Sequence, residues 1–308
     1  MPEAAIQCRD LRKHYPDVKA VDGLDLEIAR GECFGLLGPN GAGKTTTIEI
    51  LEGLTPADSG DVQVLGRRWK GDARELRERI GISLQETQFT DKLTVIETLT
   101  LFRSFYREGR DPDDLMRDLS LEEKRNSRVG KLSGGQKQRL AVACALVGQP
   151  DILFLDEPTT GLDPQSRLQL WEVVTRFRAG GGTVMLTTHY MDEAERLCDR
   201  IAIVDHGKVI ALGTPAELIA KLDAPNIIEF TSNPRLEGNT FDDLCVGYHG
   251  CAKRGDGWQL RVDSLAEAVP KLINVVEKSG SKLVTLTTHA ATLEDLFVAM
   301  TGRDLRDA

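Results

Sequence analysis

The sequence predicts an α/β protein built on a largely parallel sheet and followed by a small α+β domain. Three observations carry that reading. Short apolar runs that read as buried strands alternate with helical stretches, the pattern of a parallel sheet with crossover helices. One long helical run, 91–147, interrupts the alternation and reads as an inserted helical subdomain. After Leu222 the character changes: LDAPN suggests a boundary, and the remaining residues form short strand-like and helix-like pieces.

The elements run in order along the chain. IQCRDLRKHY and VDGLDLEI alternate loosely and predict strands joined by a turn at Pro16-Asp17. ECFGLLG (32–38) is a continuous apolar strand running into a Gly-rich turn, and KTTTIEILEGL (44–54) continues as a helix. VQVLG (62–66) is another short strand, and 72–80 and 91–125 look helical. ILFLDE (152–157) is a buried strand, 164–179 a helix, TVMLTTH (183–189) a strand and MDEAERLCD (191–199) a helix. IAIVDHGKVIALG predicts a hairpin turning at His206-Gly207. Beyond 222, IIEFTS, GWQLRV and KLVTLTT are strand-like, and SLAEAVPKLINVVEKSG is helix-like.

The 308 residues suffice for one large domain and a smaller one. Apolar content is 41 % and net charge −9, which argues against broad nucleic-acid binding. The N-terminus has no apolar stretch of the signal-peptide kind, and no run approaches the ~20 apolar residues of a membrane span. The chain is therefore expected to be soluble, with any membrane role coming through a partner. Among six cysteines no CxxC pair occurs. Cys245, Cys251 and His249 share a neighbourhood, but the thiols are read as unligated in a reducing cytosol.

Residues Gly38, Pro39, Asn40, Gly41, Ala42, Gly43, Lys44 and Thr45 fit the phosphate-loop pattern GxxxxGK[ST], with a strand before and a helix after. Gly41 and Gly43 permit close backbone approach to phosphates, Lys44 reaches the β- and γ-phosphates, and the Thr45 hydroxyl ligates Mg²⁺. Downstream, an apolar strand ends in Asp156 and Glu157. Asp156 is placed to hold Mg²⁺ through water, and Glu157 to polarise a water for attack on the γ-phosphate. These motifs imply Mg-ATP binding. A second anion cradle lies in KLSGGQKQR: Leu132, Ser133, Gly134, Gly135 and Gln136 combine glycines with a helix N-terminus.

Taken together, Gly38–Thr46, LSGGQ, Ile152–Glu157, Gly161-Leu-Asp163 and Thr187-Thr-His189 stand in the order and spacing of ATP-binding cassette (ABC) transporter ATPases. The resemblance spans about residues 4–220, and LSGGQ is its most specific motif. It implies a P-loop NTPase cassette at 1–222, with a mixed sheet core, an antiparallel β subdomain and a helical subdomain at about 86–147. A small accessory domain at 223–308 would complete the chain. In the family's terms, Tyr15 lies where an aromatic ring stacks on adenine, and Thr46 closes the phosphate loop. Gln85 touches Mg²⁺ or the attacking water, His189 contacts the γ-phosphate, and Asp163 is a dimer contact. Ser133, Gly134, Gly135 and Gln136 would close on the γ-phosphate held by a second subunit, so that two cassettes sandwich two ATP. The physics suits this, because Ser133 hydroxyl, Gly135 N–H and the helix dipole offer donors to an anion.

The resemblance further implies a second cassette as partner, an identical copy being favoured over a different one, and separate membrane permease subunits. It implies a place on the cytoplasmic face of the membrane and no nucleic-acid partner. Phe89, Phe102, Phe105 and Tyr106 near Gln85 include candidates for a groove that receives a permease helix. The stretches LQETQFTDKLTVIETL, TTHYMDEAERLCDRIAIVDHGKVIALGTPAEL and ATLEDLFVAMTGRDL resemble multidrug, antibiotic and polysaccharide exporters. An importer ATPase, or a soluble cassette protein acting on ribosomes or DNA, are the alternatives.

Overall fold

The computed structural model describes residues 3–85, 87–222, 224–237, 241 and 244–301. Positions 86, 223, 238–240, 242–243 and 302–308, which enter the expected helical subdomain and C-terminal domain, lie outside the described residues. The chain divides into two compact units at the Pro215/Ala216 junction.

In the first unit, β1 (Ala4–Tyr15) and β2 (Val18–Ala29) form an antiparallel hairpin around the predicted turn at 16–17. β3 (Cys33–Leu37) is buried throughout and leads through the Gly-rich loop into α1 (Lys44–Leu51). β4 (Ser59–Val64) returns to pair with β1, which makes a three-stranded antiparallel sheet in the order β2-β1-β4. Next come α2 (Trp69–Arg79), β5 (Ile80–Ser83), α3 (Val95–Arg103), α4 (Pro112–Asp118) and α5 (Gly134–Leu146). β6 (Ile152–Asp156), α6 (Pro164–Ala179), β7 (Thr183–Thr187), α7 (Met191–Leu197), β8 (Arg200–Asp205) and β9 (Lys208–Gly213) complete the unit.

The central sheet has the order β5-β6-β7-β3-β8-β9. All pairings are parallel except β8–β9, the hairpin expected at 206–207. The parallel strands read as unbroken apolar runs because both faces are covered. One core joins the two sheets, with Ile6, Leu24, Ile28, Phe34, Leu36, Ile48, Leu51, Phe154 and Met185 among its members. Each large side chain so buried contributes about 1.5–3 kcal/mol.

The region 91–125, which the periodicity predicts as one helical stretch, is broken. α3 opens on a Thr94–Glu97 capping box, and α4 opens on Asp111 with Pro112 in its first turn. Between them the chain turns at Gly109, where a Cβ would lie 2.3 Å from the Val147 carbonyl oxygen. Local capping chemistry thus overrides the apolar period.

In the second unit, α8 (Pro215–Ala220) leads to β10 (Asn226–Asn233), β11 (Tyr248–Arg254), β12 (Gly257–Val262), α9 (Leu265–Lys278), β13 (Lys282–Ala290) and α10 (Leu293–Thr301). Its antiparallel sheet has the order β11-β12-β10-β13. Ile228, Phe230, Phe241, Leu260, Leu272 and Val276 form its core. β11 escapes the sequence pattern because YHGCAKR is interrupted by glycine and shows almost no apolar alternation.

Candidate nucleotide site

Sheet order builds the site. β5, β6, β7 and β3 are neighbours and parallel, so the segments leaving their carboxyl ends emerge side by side. Those segments carry Gln85, Asp156-Glu157, Thr187–His189 and the phosphate loop. Such carboxyl ends are where open α/β sheets receive ligands.

The phosphate loop is held by close backbone packing. Gly43, at the N-cap of α1, has φ +99, and a Cβ there would lie 2.0 Å from the Ala20 carbonyl oxygen. A Cβ on Gly38 would lie 2.3 Å from the Val204 carbonyl oxygen. Ala42 N–H donates to the Pro39 carbonyl at 3.1 Å, and Thr47 N–H and Oγ1 both donate to the Gly43 carbonyl. Lys44 Nζ donates to the carbonyls of Gly38 (2.6 Å) and Pro39 (3.1 Å). Burial lowers the Lys44 pKa, while the charges of Glu157 and Asp156 hold it up. Thr45 is exposed, Thr46 half-buried, and Asn40 and Gly41 lie at the exposed tip.

The two carboxylates after β6 differ. Asp156 is buried and accepts a hydrogen bond from Thr187 Oγ1. Desolvation pushes its pKa up, opposed by that bond. Glu157 sits at φ +47, a left-handed conformation uncommon for a non-glycine residue. Its N–H donates to Thr187 Oγ1 at 3.0 Å. Its Oε2 gathers three donors: Gln85 Nε2 at 3.0 Å, Thr160 Oγ1 at 3.1 Å and His189 Nδ1 at 3.2 Å. The His189 hydrogen bond is the main cause that holds the Glu157 pKa below the usual carboxylate range. An ionised carboxylate only accepts, so His189 carries its proton on Nδ1.

Gln85, Lys44, Asp156, Glu157 and His189 are therefore brought together. Thr160 and Thr187 join them, although neither carried a role in the sequence reading. Tyr15 ends β1 with its ring 45 % exposed and the Lys13 ammonium 5.6 Å from the ring centroid.

Ser133 belongs to a different local network. It caps α5 in a reciprocal capping box: Gln136 N–H donates to Ser133 Oγ at 3.3 Å, and Ser133 N–H donates to Gln136 Oε1 at 3.0 Å. Accepting through a lone pair leaves the Ser133 hydroxyl proton available to an anion. Gly134 and Gly135 occupy the first helical positions, whose N–H groups have no partner within the helix. A Cβ on Gly135 would lie 3.2 Å from Leu162 Cδ2, which places the motif beside the turn before α6. There Asp163 caps α6, accepting from Ser166 N–H (3.0 Å) and Ser166 Oγ (2.6 Å). Those bonds hold its pKa down.

Phe89, Phe102 and Phe105 form an edge-to-face stack with centroids 6.0 and 5.8 Å apart. Phe105 is 67 % exposed, whereas Tyr106 lies half-buried over Gly148. In the second unit, Cys245 and Cys251 are half-buried and in no disulfide, and His249 pairs with Asp263 at 2.8 Å. Among the described residues, Glu229, His289 and Asp295 form the one cluster of metal-ligand types. Arg254 and Gln259 already donate into it.

A family model described as ABC transporter matches residues 21–160. The Nod factor export ATP-binding protein I of Cupriavidus pinatubonensis is 39 % identical over 99 % of this chain and 93 % of its own length. Its namesake in Paraburkholderia xenovorans is 39 % identical over the whole of both chains. Among solved structures, an ATP-binding subunit of an ABC transporter superposes with TM-score 0.66 at 29 % identity, over 71 % of this chain and 93 % of that one. The dimeric bacterial ABC transporter cassette MJ0796 gives 0.61 at 26 % identity, over 68 % and 98 %.

Proposed function

The chain belongs to the ABC transporter family as an ATP-binding subunit, and from that premise we propose that two copies hydrolyse Mg-ATP between them to drive export through separate membrane subunits. The observation that carries the proposal is the division of the site chemistry. Lys44, Asp156, Glu157, Gln85 and His189 converge, while Ser133 heads α5 with a hydroxyl proton and helix N–H donors of its own. In this reading the second set serves the γ-phosphate held by the partner copy.

Each residue has a role in that reading. Tyr15 stacks on the adenine, and the backbone of 38–46 with the Lys44 ammonium holds the phosphates. Glu157 is the base. Three donors occupy Oε2, which leaves Oε1 to orient and polarise a water. His189, its Nδ1 proton on Glu157, lies against the γ-phosphate, Ser133 offers the phosphate a hydroxyl donor, and Asp163 meets the partner copy. The donor set fits Mg²⁺, which prefers oxygen. Thr45 offers a hydroxyl and Asp156 a carboxylate. Gln85 directs its amide nitrogen to Glu157, so its oxygen remains for a cation. The ion supplies charge neutralisation on the phosphates.

The exposed Phe105 and its stacked neighbours are the proposed contact for a permease helix, on the cytoplasmic face of the membrane. The names of the relatives support export and make Nod factor the first cargo to test. Recovering the chain with its cellular partners tests the reading. Co-purification with an integral membrane subunit, and Mg-dependent ATP turnover that Glu157→Gln removes, is the expected result. Recovery with ribosomes instead contradicts it.

A further inference from the structure

Nucleotide binding and hydrolysis leave Glu193 without a role, yet it is a carboxylate with 0 % exposure placed directly behind the site. A buried charge-bearing group is costly unless its partners repay the desolvation, and packing alone would be served by leucine. Its surroundings are specific. It sits in the first turn of α7, and its Oε1 accepts a hydrogen bond from Trp171 Nε1 at 2.8 Å. Trp171 lies on α6, the helix that Asp163 caps. On the other side, the Thr188 hydroxyl faces the carboxylate, and Tyr190 N–H donates to that same hydroxyl at 2.9 Å. Thr188 and Tyr190 flank His189.

A parallel link runs alongside. Arg167, also on α6, faces Glu193, stacks its guanidinium 4.2 Å from the Tyr190 ring centroid and reaches Asp192 at 3.5 Å. The Thr159 hydroxyl, next to the Thr160 that holds Glu157, faces Glu193 too. Three buried atoms in this group lack a well-formed hydrogen bond: Glu193 Oε2, Thr159 Oγ1 and Arg167 Nε. Such orphans are rare in a settled interior. The Thr159 hydroxyl faces the Glu193 carboxylate without closing a full hydrogen bond, a contact that a small shift of the 158–163 turn would tighten.

We propose that Glu193 is a positioning residue that joins the His189 loop to the 158–163 turn and the Asp163-capped helix, so that nucleotide contact at His189 reorders the segment facing the partner copy. This rests on the composite-site reading. In that reading Asp163 lies at the seam between copies and His189 at the γ-phosphate, and Glu193 is a second side-chain connection between their supports, behind the one through Glu157 Oε2, which accepts from both His189 and Thr160.

The test is hydrogen–deuterium exchange on the full chain with and without a non-hydrolysable ATP analogue and Mg²⁺, together with steady-state ATPase kinetics. In the parent chain the nucleotide is expected to slow exchange at both 158–163 and 187–191. In Glu193→Leu it should slow 187–191 alone, with kcat down at least tenfold and KM for ATP unchanged. Glu193→Gln, which keeps an acceptor for Trp171, should restore most of both. Destabilisation alone would lower the active fraction without separating the two segments. Parental protection of both segments and parental kcat in Glu193→Leu would overturn the proposal. Should Glu193→Leu fail to fold, Trp171→Phe cuts the same link from the α6 side and is judged by the same two results. Absence of ATP turnover in the parent chain would sink the proposed function, while the exchange pattern would still decide the role of Glu193.

Discussion

Substituting Glu52 by glutamine should change how the stability of the chain depends on pH. Glu52 caps the C-terminal end of α1, is 2 % exposed, and neither carboxylate oxygen has a hydrogen-bond partner. Burial, reinforced by the charges of Asp156 and Glu49, pushes its pKa up to about 8 from 4.5. The folded state therefore binds the proton more tightly than the unfolded state. The stability this contributes is complete below pH ~4.5 and is lost as pH rises through about 8. At about 1.4 kcal/mol per pKa unit, the difference between pH 4.5 and pH 9 reaches about 5 kcal/mol at most. Glutamine leaves a buried amide whose cost is the same at every pH, so the double difference isolates the proton. Urea unfolding followed by tryptophan fluorescence reads the effect; of the three tryptophans, Trp69 donates to the Leu51 carbonyl at 3.0 Å beside Glu52. Parent and Glu52→Gln chains should diverge by about 2–5 kcal/mol between pH 5 and pH 9, the parent losing stability. Identical pH profiles would refute the reasoning.

Three further outcomes are expected. Glu157→Gln should retain ATP binding while turnover falls by roughly 10²–10⁴, the usual contribution of a general base, and unchanged turnover would remove Glu157 from the reaction. Gly43→Ala should abolish nucleotide binding in an equilibrium titration, since its Cβ would lie 2.0 Å from a backbone oxygen and its φ is +99; parental affinity would contradict the packing argument. Thr187→Val removes the hydroxyl shared by Asp156 and the Glu157 N–H. It should cost about 1–3 kcal/mol of stability and weaken the Mg²⁺ dependence of ATP binding, with calorimetry and a Mg²⁺ titration as the checks.

Much of the site was legible in the sequence because its motifs are local. A phosphate loop must be glycine-rich where backbone meets backbone, as at Gly38 and Gly43, and it must sit between a strand and a helix. Ser133 and Gln136 also announce themselves, since a capping box is a pattern of two residues three apart. The features that stayed hidden depend on tertiary placement. Thr187, Trp171 and Glu193 are ordinary residues in the sequence, and only the adjacency of β6 and β7 and the packing of α6 on α7 give them partners. The division of 91–125 was hidden for the opposite reason: strong apolar periodicity masked the caps at Thr94 and Asp111. β11 offered almost no pattern to find, because an antiparallel strand carrying Gly250 and three polar residues gains its place from β12.

The central claim is that Ser133 completes the ATP site of another copy. Its most direct test measures the mass of the Glu157→Gln chain in solution with Mg-ATP, alone and combined with Ser133→Arg. The account predicts an ATP-dependent dimer for Glu157→Gln. It predicts a monomer that still binds ATP with unchanged affinity when Ser133→Arg is added. A dimer of equal strength in the double variant, or loss of ATP affinity in its monomer, would contradict it.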